Sequence, residues 1–229
     1  DARLWRVERI ELDERPRALL SVCEPAAGAG GAIDWTPAPP VEPAGPPLLW
    51  ILDLPPLPGR ETDARPLVAV AAEPWRDLDI HAGLSVEALT PRATAAQPAS
   101  VGQTLTELPA GPLHRLDRGG RVTVLIEGAS LQSRSLPAVL AGANALAVRG
   151  AGGAWEILQF LAAEPVSANV WTLCGLLRGQ AGSDPAMAAL TPAGAAVVVL
   201  DETLVRAEMA LSERGLPLTM ETRQVEVAI

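Results

Sequence analysis

Hydrophobic residues fall at every second position along much of this chain, in short runs cut by Pro and Gly. The clearest case is residues 154–184, AWEILQFLAAEPVSANVWTLCGLLRGQAGSD. Trp155, Ile157 and Gln159 alternate with Glu156, Leu158 and Phe160, and Trp171, Leu173 and Gly175 alternate with Thr172, Cys174 and Leu176. A period of two suits a pleated strand, whose successive side chains point to opposite faces. Between the two runs, Glu164-Pro165 and Ser167-Ala168-Asn169 carry turn chemistry, because Pro fixes its own φ and Asn tolerates left-handed backbone. The pattern predicts a hairpin.

The same reading extends to the rest of the chain. Residues 4–12 alternate, and their β-branched and aromatic side chains favour a strand over a helix. A turn at 13–16 and a second strand at 17–23 would complete a hairpin. Residues 25–47 hold PAAGAGGA and TPAPPVEPAGPP, with no period and few backbone donors, and read as a linker. Residues 48–54 and 65–72 are apolar runs stopped by Pro, the form expected of strands buried on both faces. Residues 78–84 alternate as an edge or half-exposed strand does, and 88–103 read as a loop leading to 104–108. Strands are further predicted at 121–127, 145–148, 195–200, 203–209 and 216–229, with a short helix over 135–142 and a helix start at Asp184-Pro185.

The sum is a mostly β protein, with antiparallel sandwich- or barrel-like units and few short helices. The expected division is a hairpin at 1–24, a linker at 25–47 and a β-rich domain at 48–229, with a further boundary at 112–120 as the alternative. A chain that opens at Asp1 without a leader sequence is expected to be a piece of a longer one.

Composition narrows the function classes. Over 229 residues the net charge is -9, and all 18 basic residues are Arg. With no concentrated basic patch, a nucleic-acid surface is not expected, since neutralising phosphates requires one. The apolar run 48–54 is far shorter than a membrane span and is interrupted by Asp53. Cys23 and Cys174 stand far apart with only His81 and His114 to join them, which is not metal-ligand spacing.

Two motifs carry a resemblance. Trp155–Phe160, WEILQF, and Leu176–Ser183, LLRGQAGS, resemble the very large tail-tip or host-specificity proteins of gene transfer agents and related long-tailed phages. In that family a W-E-(I/V)-L-Q-F strand is followed by a strand ending in L-L-R-G-Q-x-G-(S/T). Leu49–Leu57, LWILDLPPL, and Leu140–Ala145, LAGANA, are similar in tone, so the resemblance touches most of the chain from about Trp5 to Leu218. It carries no catalytic signature. It implies a structural, non-enzymatic component of a tail tip or baseplate, made in the bacterial cytoplasm and carried on the virion, that joins subunits near the host-facing end. The implied partners are other tail or baseplate proteins and further copies of the chain, with a cell-surface glycan as an additional one. The hairpin at 1–24 would close an upstream hub-like domain.

The pairs Asp77 and Asp79, Glu156 and Glu164, and Asp201 and Glu202 are near in sequence, but a hydrolase needs carboxyls at a defined separation across a cleft, and solvated surface groups are the expected reading. Ser130, His81, His114 and Asp117 are the only materials for a triad, and Gly128-Ala129-Ser130-Leu131-Gln132 is no nucleophile elbow. The glycine runs 28–31 and 150–153 lack phosphate-loop context. No catalytic, cofactor or metal residue is assigned. The structural or interface candidates are Trp155 and Trp171, expected in a core; Arg178, Gly179, Gln180 and Gly182, expected to hold a turn around a buried Arg; and Trp35 and Trp75, set beside Pro and suited to packing a linker or meeting a partner. A carbohydrate- or receptor-binding module is the alternative function, and a peptidoglycan hydrolase the less favoured one.

Overall fold

The computed structural model describes residues 6–12, 18–23, 45–58, 62–63 and 65–225. The chain divides into two units, Asp1–Pro43 and Ala44–Ile229. In the first, β1 (Arg6–Leu12) and β2 (Ala18–Cys23) pair as an antiparallel ribbon with an irregularity between Val7 and Arg9. The predicted turn at 13–16 and most of the predicted linker lie outside the described residues.

The second unit is mostly β, and its strands pair antiparallel. They are β3 (Leu48–Leu52), β4 (Leu67–Ala71), β5 (Leu78–Gly83), β6 (Thr90–Ala95), β7 (Val101–Thr104), β8 (Asp117–Glu127), β9 (Ala145–Arg149), β10 (Trp155–Ser167), β11 (Val170–Leu177), β12 (Ala196–Val199), β13 (Val205–Arg206) and β14 (Thr219–Gln224). The one α-helix among the described residues, α1 (Leu136–Leu140), is ended by Gly142. Among the described residues no helix is long and apolar enough to cross a membrane.

Six strands close into a barrel in the order β10-β11-β8-β7-β12-β9. Alternation along each strand sends Val122, Val124 and Ile126 of β8, Leu146 and Val148 of β9, Leu158 and Phe160 of β10, and Trp171 and Leu173 of β11 into one core. Leu176 joins them although it is three positions from Leu173, because β11 bulges between Cys174 and Leu176. Gly175 makes the bulge with φ 64, and a Cβ there would stand 3.1 Å from Leu161.

The flanks of the barrel segment build two three-stranded sheets, β13-β4-β3 and β14-β5-β6, each taking two strands from before the barrel and one from after it. β4 separates two cores. Val68 and Val70 pack with Leu78, Ile80, Ala95 and Ala207 of the small sandwich. Leu67 and Ala69, on the opposite face of β4, pack with Val101, Ala147, Trp155 and Val198 on the barrel's outer wall. β4 is thus buried on both faces, as its sequence predicts.

Several elements differ from expectation. β3 was expected to be buried on both faces but is an edge strand with Leu48 and Ile51 exposed. β5 is the centre of its sheet, not an edge. The expected loop at 88–103 contains β6 and the start of β7, because small residues with little strand preference are held there by their neighbours. β10 runs through Glu164 and Pro165, and the turn falls at Ala168-Asn169 with Asn169 at φ 59. Pro is tolerated there because the pairing of β10 with β9 ends at Gln159, leaving one side of the strand outside the ladder. β8 begins within 112–120, at Asp117, and pairs with β7 in the barrel. Of the strand predicted at 203–209, only Val205–Arg206 forms.

Candidate functional site

The two motifs that carry the resemblance meet at one place. β10 puts Glu156 on the same face as Leu158 and Phe160, and β11 delivers Arg178 immediately after its last residue. Arg178 Nε and Nη2 donate to the two Glu156 carboxylate oxygens at 2.6 and 2.8 Å. Arg178 Nη1 donates to the Pro109 carbonyl at 2.8 Å, and the Gly179 N–H donates to Glu156 Oε1 at 3.1 Å. Each of the two charged side chains is 1% exposed.

A buried ion pair is tolerated only when its geometry is good and its remaining polar atoms are bonded, since two charges have left water. The fork of the guanidinium matches the carboxylate, and the added backbone partners supply the rest. Glu156 is therefore no solvated surface group, as its sequence context led one to expect. Bonded to Arg178 and enclosed, its carboxylate is out of reach of solvent.

The turn after Arg178 is shaped around this pair. Gly179 adopts φ 57, where an added Cβ would stand 2.9 Å from Asp184 Cα. Gln180 Nε2 donates to the Arg178 carbonyl at 2.9 Å, Ser183 Oγ donates to the Gln180 carbonyl at 2.8 Å, and Ser183 Oγ accepts the Ile157 N–H at 2.8 Å. Ala181 and Gly182 are left-handed and exposed at φ 55 and 84. The motif thus ties the end of β11 back onto the start of β10.

Trp171 lies in the barrel core. Trp155 is buried between barrel and sandwich, its Nε1 donating to the Ile51 carbonyl at 3.2 Å and its ring standing edge-on to Trp50 at 5.7 Å. Trp75 is half-buried against the sandwich core, and Trp35 lies outside the described residues. Sequence reasoning missed Trp50, over which Arg149 Cζ sits at 5.0 Å. The run LLWIL read only as a core strand, and nothing in it signals a partner about a hundred residues away.

Apart from His81 and Asp79, the candidate acids and histidines are scattered over different parts of the chain. His81 and Asp79 are on β5, where Thr94 Oγ1 donates to Asp79 at 2.6 Å and Arg223 is the cross-strand neighbour. Asp117 accepts the Gly119 and Gly120 N–H groups at 3.1 and 2.8 Å, and Ser130 lies beyond β8. Among the described residues no group of three or more His, Cys, Asp or Glu comes together as a metal site. A groove of about 490 Å³ runs along the sandwich past Leu54, Pro56, Met209, Leu218 and Met220, with Asp63 tied to Arg65 and Arg206 at its side.

Residues 99–198 match a family model, Rcc01698-like, C-terminal. The matched segment coincides with the barrel, whose strands run from Val101 to Val199, and it holds both halves of the Glu156–Arg178 lock. The strands of the sandwich fall outside it. No curated protein matches the chain.

Proposed function

We propose that this chain is a structural component of a phage-like tail tip or baseplate and works by holding neighbouring subunits together. The observation that carries the reading is the union of its two signature motifs in one buried lock. WEILQF supplies Glu156, LLRGQAGS supplies Arg178, Gly179 and Ser183, and the two segments are bonded to each other at four points. Motifs that form a single interlocked feature support the resemblance more strongly than two short matches in unrelated places.

A role in holding shape also suits the chemistry. The one buried ion pair between β10 and the end of β11 fixes strand ends and presents nothing to a substrate. The carbohydrate-binding alternative has less support, since Trp155 and Trp171 are buried and Trp75 packs on the sandwich core, leaving no ring of these three laid open for a sugar face.

The test is location. Antibody-gold labelling of particles from cells that make the tagged protein should mark one end of the tail. Particles that lack the protein, or a label spread along the whole tail, would contradict the proposal.

A further inference from the structure

The outermost strand of a sheet carries a row of N–H and C=O groups outside any ladder, and such a row pairs readily with another chain. On β3 the Ile51 carbonyl accepts the Trp155 indole N–H, and on β6 the Arg92 carbonyl accepts the Glu208 N–H. β14 is also outermost, with β5 on one side.

The register fixes what the other side of β14 presents. Thr219 faces Gly83, Gln224 faces Leu78, and beyond them the Val225 N–H donates to the Asp77 carbonyl at 3.3 Å. Along an antiparallel ladder, residues bonded to the partner strand alternate with residues whose N–H and C=O point the other way. Counting back from Val225, Arg223, Glu221 and Thr219 are bonded to β5, while Met220, Thr222 and Gln224 aim their backbone groups away from the sheet. Among the described residues no other backbone group bonds to these three.

The charges on β14 select the strand that fits there. Met220 packs on the sandwich core, so Glu221 and Arg223 share the opposite face, their side chains 38% and 52% exposed. Set antiparallel to itself about Thr222, β14 places Glu221 of each copy opposite Arg223 of the other. Moving the centre by one residue either way sets Glu221 against Glu221 or Arg223 against Arg223, which is repulsive. Centred on Thr222, the outward backbone groups of Thr222 meet those of Thr222, and those of Met220 meet those of Gln224. Within each copy Arg223 donates to Glu221, so the pairing closes a ring of alternating charges.

We infer that two copies of the chain join β14 to β14, antiparallel about Thr222, merging two three-stranded sheets into one. The contact presents the same surface from each copy and closes as a dimer. The inference rests on the assembly reading above and names the partner for it.

Charge exchange tests it. Sedimentation of the full chain should show a dimer. Glu221→Arg or Arg223→Glu alone sets like charges against each other twice and should weaken association about tenfold or more. Mixing the two single variants should restore a dimer holding one copy of each, because every Glu then faces an Arg. Thr222→Pro removes an N–H that β5 does not use, so it should abolish the dimer and leave the circular dichroism of a folded chain. A monomeric parent chain, a trimer or larger ring, single variants without effect or without re-association on mixing, or a Thr222→Pro chain that still dimerises would overturn the contact. Gold labelling is scored separately: a monomer that still reaches the tail end removes only this contact, and a dimer absent from particles removes only the assembly reading.

Discussion

Arg178 and Glu156 stand 22 positions apart in the chain and share two hydrogen bonds. Removing either partner strands the other charge in the interior. Arg178→Met or Glu156→Gln should each cost about 3–5 kcal/mol in urea unfolding. Arg178→Met combined with Glu156→Leu should cost clearly less than the sum of its single changes, though not zero, since the Pro109 carbonyl and Gly179 N–H lose their partners. Strictly additive losses would show that the two side chains act independently.

Ala181 occupies left-handed backbone at φ 55, where a Cβ is strained. Ala181→Gly should therefore stabilise the fold by about 1 kcal/mol in a thermal melt, against the usual trend for glycine. Gly179→Ala should do the reverse, because the new Cβ would meet Asp184.

Glu213 titrates below the ordinary glutamate range, first because the Ala210 N–H donates to it and then because Arg92 does. A carboxyl lowered by folding adds stability above its unfolded value, and that stability is lost as pH falls through its folded value. Glu213→Gln should accordingly make the fall in stability from neutral pH toward acid shallower, as followed by urea midpoints across that range. A parallel fall in parent and variant would refute the assignment.

The barrel segment leaves and rejoins the sandwich at adjacent points, since the Val199 N–H donates to the Ser100 carbonyl at 2.9 Å. Replacing residues 99–200 by a short Gly-Ser bridge should leave the two three-stranded sheets able to form, with stability reduced by exposure of the Leu67 and Ala69 face. Near-complete loss of strand signal in circular dichroism would count against that arrangement.

Much of the strand content was legible in side-chain alternation. Arg121–Glu127 reads as a strand because Val122, Val124 and Ile126 are β-branched and share one face, and β4 announces its burial by having no polar residue at all. β6 was hidden, since Thr90, Pro91 and three small residues carry no such pattern and are placed by Leu78 and Ile80 across the ladder. Barrel closure was equally hidden, as it depends on Val198 meeting both Val101 and Ala147, pairings too distant in sequence for any local period to encode. At the site, Arg178 was read as a buried turn-holder, whereas its partner was not, because an alternating strand gives no sign of which glutamate will be enclosed. Trp50 and Arg149 escaped for the same reason, lying on different strands of different sheets.

The five residues of β4 serve two neighbours at once, and all but Leu67 carry small or β-branched side chains that leave each little room to yield. Loosening on one side deprives the other of its wall, so heat should find no weak joint between the two bodies. They would melt together in one step, because neither keeps its footing once the shared partition gives way.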